Sequence, residues 1–326
     1  MKQAAMLKRV GAGWFLVFFL APALFLSGCR AISDFRQAYE TAAIEWRHPD
    51  DGYGRRVLLL VSSSAHVPEG FMQGGNLSEM LSSRLSKSLS ETCPKMIVDV
   101  PPKAEKYQGD TQTPFSLCAR YRNSGDNAVV SCDIDSLEAV RRHRGFWRTI
   151  NPFDWIGRKA LEEKYPSMFR IRLRLRAWDT FTAAPICVKT IEATFDPAYA
   201  IDENKAVSGT VPGFLPTLSD LCEKGAEALC KAVFDQFWTA YVIDTGPDGV
   251  TISAGSKVGL AAGTVLDVWS AGDVIKSTNG NRFWLPGKKI GTIKIIRLNQ
   301  DTSVCVPVSG KAPALGCVVL KDGFSF

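Results

Sequence analysis

The hydrophobic pattern changes its period several times along the chain. Val57-Leu58-Leu59-Leu60-Val61 is an unbroken apolar run ending in Ser62-Ser63-Ser64, as a central strand buried on both faces requires. After Gly74-Gly75 the apolar positions Leu77, Met80, Leu81, Leu85 and Leu89 recur at three and four residues. This predicts an amphipathic helix capped by Asn76, with Glu79 in the capping-box position. Met96 to Val100 and Ala128 to Ile134 read as two further strands. Phe169 to Trp178 and Ile186 to Phe195 largely alternate, with Thr180 to Pro185 as the turn between them. Pro216 to Val242 carries Leu218, Leu221, Cys222, Ala228, Leu229, Ala232, Val233 and Phe237 along one side of a long helix. That order predicts an α/β layer domain, α+β in its sequence of elements, with helices packed on a mixed sheet.

From Tyr241 the texture is different. Val250 to Ser253, Thr264 to Trp269, Lys289 to Leu298, Ser303 to Val308 and Cys317 to Leu320 are short strand-like runs. Gly, Pro and Asn turns separate them, Asn279-Gly280 included, and the pattern predicts a small all-β barrel of SH3-like type. Gly255, Gly259 and Gly263 lack the Lys-Ser/Thr of a phosphate-binding loop and read as turn glycines of that barrel. Upstream, residues 30–54 hold no long periodic run, and His48-Pro49-Asp50-Asp51-Gly52-Tyr53-Gly54 reads as a loop. The chain thus divides into an N-terminal leader (1–28), a tether (29–54), an α/β domain (55–242) and a β-barrel (243–326).

The leader has Lys2, Lys8 and Arg9 before an apolar run from Val10 to Phe25, closed by Leu26-Ser27-Gly28-Cys29. This resembles the lipobox of bacterial lipoprotein precursors. The resemblance implies cleavage before Cys29, a diacylglycerol on its thiol, and a further acyl chain on the new amino group. With Arg30 rather than Asp next, it also implies sorting to the outer membrane. Each buried methylene contributes about 0.8 kcal/mol, and two chains already anchor stably, so the body would be lipid-anchored rather than membrane-spanning. The other reading, a transmembrane anchor with an incidental cysteine, must accommodate Gly11, Gly13 and Pro22 within the run.

Charge sharpens the picture locally. Removing residues 1–28 takes away three of the 39 Lys+Arg and none of the 33 Asp+Glu, so the net charge falls from +6 to +3. Between Arg141 and Arg176, eleven basic residues face three acidic ones. Arg170, Arg172, Arg174 and Arg176 alternate with Ile171, Leu173 and Leu175, which places all four arginines on one face of a strand. Either an anionic partner meets that face, or it is solvated and balanced by acids such as Asp196, Asp202 and Glu203. Arg141, Arg142, Arg144 and Arg148 are interleaved with Phe146, Trp147, Phe153 and Trp155. Basic residues among aromatics can stack nucleic-acid bases. For an exported chain a protein or envelope contact is the expectation, and nucleic acid is not. These aromatics could equally be folded back as core.

Nine cysteines minus Cys29 leave eight: Cys93, Cys118, Cys132, Cys187, Cys222, Cys230, Cys305 and Cys317. An even number behind an export signal points to disulfides. No C-x-x-C spacing is present, so neither a metal nor a cofactor is expected. Cys222 and Cys230 on one helix lie about 12 Å apart, beyond the reach of a disulfide, and need other partners. Cys305 and Cys317 flank the turn-rich stretch Pro307 to Gly316 and are the candidate local bridge, with free buried thiols as the alternative. Ser62, Ser63, Ser64 and His66 do not form a nucleophile elbow, so no enzyme is expected.

The strand, Gly-rich turn and capped helix from Val57 to Leu89, with the paired strands and closing helix, resemble the amino-terminal-domain fold of TolB. The run Asp248-Gly249-Val250-Thr251-Ile252, Gly255-Ser256, Gly259-Leu260, Gly263-Thr264-Val265-Leu266-Asp267-Val268 and Ile290-Gly291-Thr292-Ile293 resembles the carboxy-terminal domain of flagellar assembly protein T. The resemblance implies a non-catalytic structural lipoprotein of the flagellar basal body, possible partners being basal-body rings and further copies arranged as a homo-oligomeric ring. A lipobox and short tether stand where that family carries a further N-terminal domain. An activator of peptidoglycan synthesis and a secretion-channel component are the alternatives, with an envelope hydrolase last.

Overall fold

The computed structural model describes residues 52–63, 65, 76–101, 113–141, 167–197, 211–278 and 280–321. The leader, Cys29 and nearly all of the tether lie outside the described residues, as do Ser64, His66, Arg142, Arg144, Trp147, Arg148 and Trp155. Residues 50 to 326 form one compact unit.

Its first half is a five-stranded sheet in the order β2-β1-β3-β4-β5, with β1 Arg55–Ser63, β2 Met96–Asp99, β3 Ala128–Val140, β4 Met168–Asp179 and β5 Pro185–Phe195. β2, β1 and β3 are parallel, and β4 and β5 return antiparallel. Helices α1 (Leu77–Thr92) and α3 (Phe214–Phe234) pack on one face through Leu81, Leu85, Leu218, Leu221 and Leu229. They meet Val57, Leu59, Val130, Ile171, Leu173 and Leu175 there. The Asn76 side chain caps α1 by accepting from the Ser78 N–H at 3.1 Å. Gly225 lets α3 approach closely, since a methyl group there would lie 3.0 Å from Leu175. On the opposite face a short helix, α2 (Pro114–Tyr121), covers Leu58, Leu60 and Val129 with Leu117 and Cys118.

The second half is a closed antiparallel barrel in the order β11-β12-β7-β6-β13-β8. The strands are β6 Ala240–Gly246, β7 Gly249–Ile252, β8 Val265–Trp269, β11 Lys289–Leu298, β12 Ser303–Gly310 and β13 Val318–Lys321. A hairpin of β9 (Val274–Lys276) and β10 (Arg282–Trp284) is inserted between β8 and β11. The mixed-sheet layer followed by a small barrel is as the sequence pattern predicts. The long helix, however, stops at Phe234, and Ala240 onward forms the first barrel strand, with Trp238 buried in the barrel core. Gly259 and Gly263 are turn glycines with φ of +87° and +88°.

The cysteine expectation needs correction. Cys305 and Cys317 are free thiols buried in the barrel core. Cys305 lies on β12 and Cys317 immediately before β13, strands that β7 and β6 separate, so the intervening segment is not a local turn. Burial pushes the Cys305 thiol up to about 12. The disulfide is Cys93–Cys230, with Cα atoms 6.1 Å apart, and it joins the C-terminal end of α1 to α3. Closing a loop between residues 137 apart restricts the unfolded chain strongly. Reduction is expected to lower stability by about 2–5 kcal/mol. In thermal melts, dithiothreitol should lower the Tm of the native protein and leave a Cys93→Ser/Cys230→Ser variant unchanged.

Candidate docking face and the joint beside it

β4 carries its apolar residues toward α1 and α3, which sends Arg170, Arg172, Arg174 and Arg176 to the other face, where all four are half-buried. α2 covers the β1 and β3 side of that face and reaches β4 only at Trp178, so no described helix covers β5 or the Arg170–Arg176 stretch of β4. Among the described residues, balancing acids come from the flanking strands; Asp202 and Glu203 lie outside the described residues. Arg174 pairs with Asp135, the extra residue of a bulge in β3, and Arg172 reaches Glu192 of β5 at 3.5 Å. Arg170 stands across from Glu138 and Thr194, and Arg176 across from Ser131 and Val188. Half-exposed pairs of this kind contribute about 0–1 kcal/mol each, so they hold the guanidinium groups in place more than they hold the fold. Arg141, just past β3, is exposed.

At the end of the sheet where β3 begins, the layer and the barrel are locked together by buried polar groups that the sequence pattern does not reveal. Arg55 is 2% exposed. It donates to the Gln236 carbonyl at 3.0 Å and to the Tyr53 carbonyl at 3.1 Å, and lies over the Phe234 ring. The Asn127 side-chain amide donates to the Thr239 carbonyl at 2.8 Å, and its oxygen accepts from the Arg56 N–H. The Arg122 guanidinium is held between the rings of Tyr241 and Trp284, at 5.0 and 4.7 Å from their centres. Trp284 also stacks on Phe115 of α2, so the β9–β10 hairpin clasps the sheet domain. Gly125, at φ +88°, sits where a Cβ would come within 2.1 Å of the Ser253 carbonyl. Arg56 is bracketed by Asp99 at 2.8 Å and by Asp301 of the barrel at 3.8 Å.

These geometries describe a half-exposed arginine face and a joint built from buried polar groups. Comparisons with known proteins stop at fold. No family model matches the chain, and no curated protein matches it. Among solved structures it is similar to the PelC dodecamer of Paraburkholderia phytofirmans, at 11% identity and TM-score 0.30 over 54% of this chain and 88% of that one. It is similar to the lipoprotein GNA1162 of Neisseria meningitidis, at 12% identity and TM-score 0.30 over 52% and 96%. A third likeness is to TolB of Acinetobacter baumannii, at 8% identity and TM-score 0.27 over 80% and 62%. The likeness to PelC, to the lipoprotein GNA1162 and to TolB is therefore distant and structural, and none of the three is described as flagellar. Among the described residues no group of His, Cys, Asp and Glu could hold a metal ion, and no helix is long and apolar enough to cross a membrane.

Asp126 gives the joint a carboxyl that titrates inside the ordinary pH range. Burial pushes the Asp126 carboxyl up to about 6, against the Ser124 hydroxyl and the Arg56 charge, which pull it down. Its Oδ1 has no hydrogen-bond partner among the described residues. An unfolded Asp titrates near 3.9, so folding takes up a proton between about pH 4 and 6. The stability this proton contributes is fully present below pH 4 and is lost as pH rises through 6. Asp126→Asn is expected to gain stability relative to the native protein over that interval, by up to roughly 3 kcal/mol, and to hold the gain above it. Urea melts of both proteins from pH 4 to 8 measure the difference.

Proposed function

We propose that this protein is a non-catalytic, lipid-anchored structural component of a cell-envelope assembly. It is held by Cys29 at the periplasmic face of the outer membrane and docks through the uncovered half of its sheet. The observation that supports this reading is the Arg170–Arg176 row, half-exposed on a rigid strand and left bare by the described helices. A planar guanidinium fork held by a neighbouring carboxylate is ready to bind a further carboxylate or phosphate without ordering a flexible chain. The lipobox supplies the address, and the flagellar basal body is the setting that the barrel's resemblance supports.

The test separates address from contact. Cys29→Ala should abolish palmitate incorporation and leave the leader uncleaved, so that the protein moves from the outer-membrane to the inner-membrane fraction, held by the apolar run Val10 to Phe25. Arg172→Glu/Arg174→Glu should keep the lipid and a Tm within a few degrees of the native protein, yet abolish swimming in soft agar as a deletion does. Normal swimming by a deletion strain would remove the flagellar setting. Normal swimming by the charge-reversed strain alone would remove the arginine face from the mechanism.

A further inference from the structure

β5 is the outermost strand of the sheet, eleven residues long, and among the described residues it is paired only with β4. Long edge strands offer a row of free N–H and C=O groups, and proteins ordinarily blunt them with prolines, bulges or charges. Here the only proline is Pro185 at the strand's first residue, and Lys189 is the only basic side chain. Val188 is 71% exposed. We infer that the β5 edge is the site at which a second copy of this chain adds, antiparallel, with Ile191 of both copies on the twofold axis.

The register follows from what each alignment would set face to face. A twofold axis perpendicular to the sheet pairs residues of like parity. Centring on Lys189 or Glu192 opposes like charges directly, which is unfavourable. Centring on Thr190 aligns Arg174, Thr190, Thr190 and Arg174 in one rung, with two cations and no acid. Centring on Ile191 aligns Arg172, Glu192, Thr190 of the second copy and Arg174 of the second copy, because Arg172 stands across from Glu192 and Arg174 across from Thr190. Each Glu192 then lies between an arginine of its own copy and, across a short threonine, one of the other. Two strand spacings of about 9.6 Å are within the combined reach of Glu and Arg. The same alignment sets Ile191 against Ile191 on the face that α3 covers and Val188 against Thr194 on the other.

The inference shares Arg172 and Arg174 with the proposed docking face, and its test therefore reads association alone and leaves both arginines in place. Full-length protein is purified in nonionic detergent in a Cys187→Ser background, and single cysteines are introduced along β5. Under mild oxidation Ile191→Cys is expected to cross-link to itself at least five-fold more than Thr190→Cys or Lys189→Cys. Lys189→Cys mixed with Ala193→Cys should give the mixed dimer. Glu192→Lys added to Ile191→Cys places a third cation in the rung and should cut the yield about ten-fold. Without any substitution, the β5 amides should gain protection from hydrogen exchange as protein concentration rises. Equal cross-linking at Thr190, indifference to Glu192→Lys, or β5 protection independent of concentration would each overturn the proposal. Loss of swimming in the Arg172→Glu/Arg174→Glu strain would persist in that event, and the docking role would survive it.

Discussion

Two helices lying side by side can bury one face of a five-stranded sheet and no more. Adjacent strands are about 4.8 Å apart, so the outer strands lie about 19 Å apart, and two helices at about 10 Å separation span just that width. α1 and α3 meet this requirement, with the Cys93–Cys230 bridge fastening one to the other and Gly225 bringing α3 down onto Leu175. Among the described residues the other face has α2 and the clasping hairpin, which together cover the parallel side and reach β4 only at Trp178. A strand buried on one face only must alternate, and β4 does so without exception from Arg170 to Arg176. The arginine row thus lies where no further layer covers the sheet among the described residues.

The joint obeys a different constraint. Two cores meeting edge to edge leave backbone groups of both facing inward, and each must find a partner. Asn127 and Arg55 supply side-chain hydrogen bonds to carbonyls in the connection after α3, while Gly125 gives way where the Ser253 carbonyl needs room. Arg122 is accommodated by aromatic faces, although its Nε and Nη2 find no acceptor among the described residues. Buried charges of this sort are expensive when broken. The barrel and the layer consequently form one unit rather than two modules on a hinge.

Elements with a long or strict period are legible in the amino-acid pattern alone: β1, α1, β4, β5 and most of the barrel strands. α2 is not, because eight residues complete barely two turns and bury only Leu117 and Cys118 as a face; its one local signal is Thr113-Pro114, a capping residue followed by a first-turn proline. The long helix reads through to Val242 because Phe237, Trp238 and Tyr241 keep a helical spacing. In the structure Trp238 joins the barrel core, whereas Phe237 and Tyr241 pack with Phe181, Trp269, Val318 and Leu320 in a separate cluster. The arginine face can be placed from alternation alone, but not its counter-charges, since those depend on strand order and on a bulge at Asp135. Disulfide pairing is hidden for the same reason. Cys93 and Cys230 are distant in sequence, and only the packing of α1 against α3 brings them together.

That bulge matters for what the face can bind. By adding a residue to β3, it brings Asp135 to Arg174, where regular pairing offers Asp133. Glu192 performs the same service for Arg172 from the opposite side. The Arg172 and Arg174 guanidinium groups are therefore partly neutralised and fixed, which weakens the field they project toward polyanions. A partner must instead match positions: carboxylates or phosphates at the spacing of alternate strand residues, about 6.8 Å, on a surface flat enough to lie against a sheet. Arginines held in this way reward geometry and tolerate little misalignment, because a fixed fork cannot follow a ligand that is out of place.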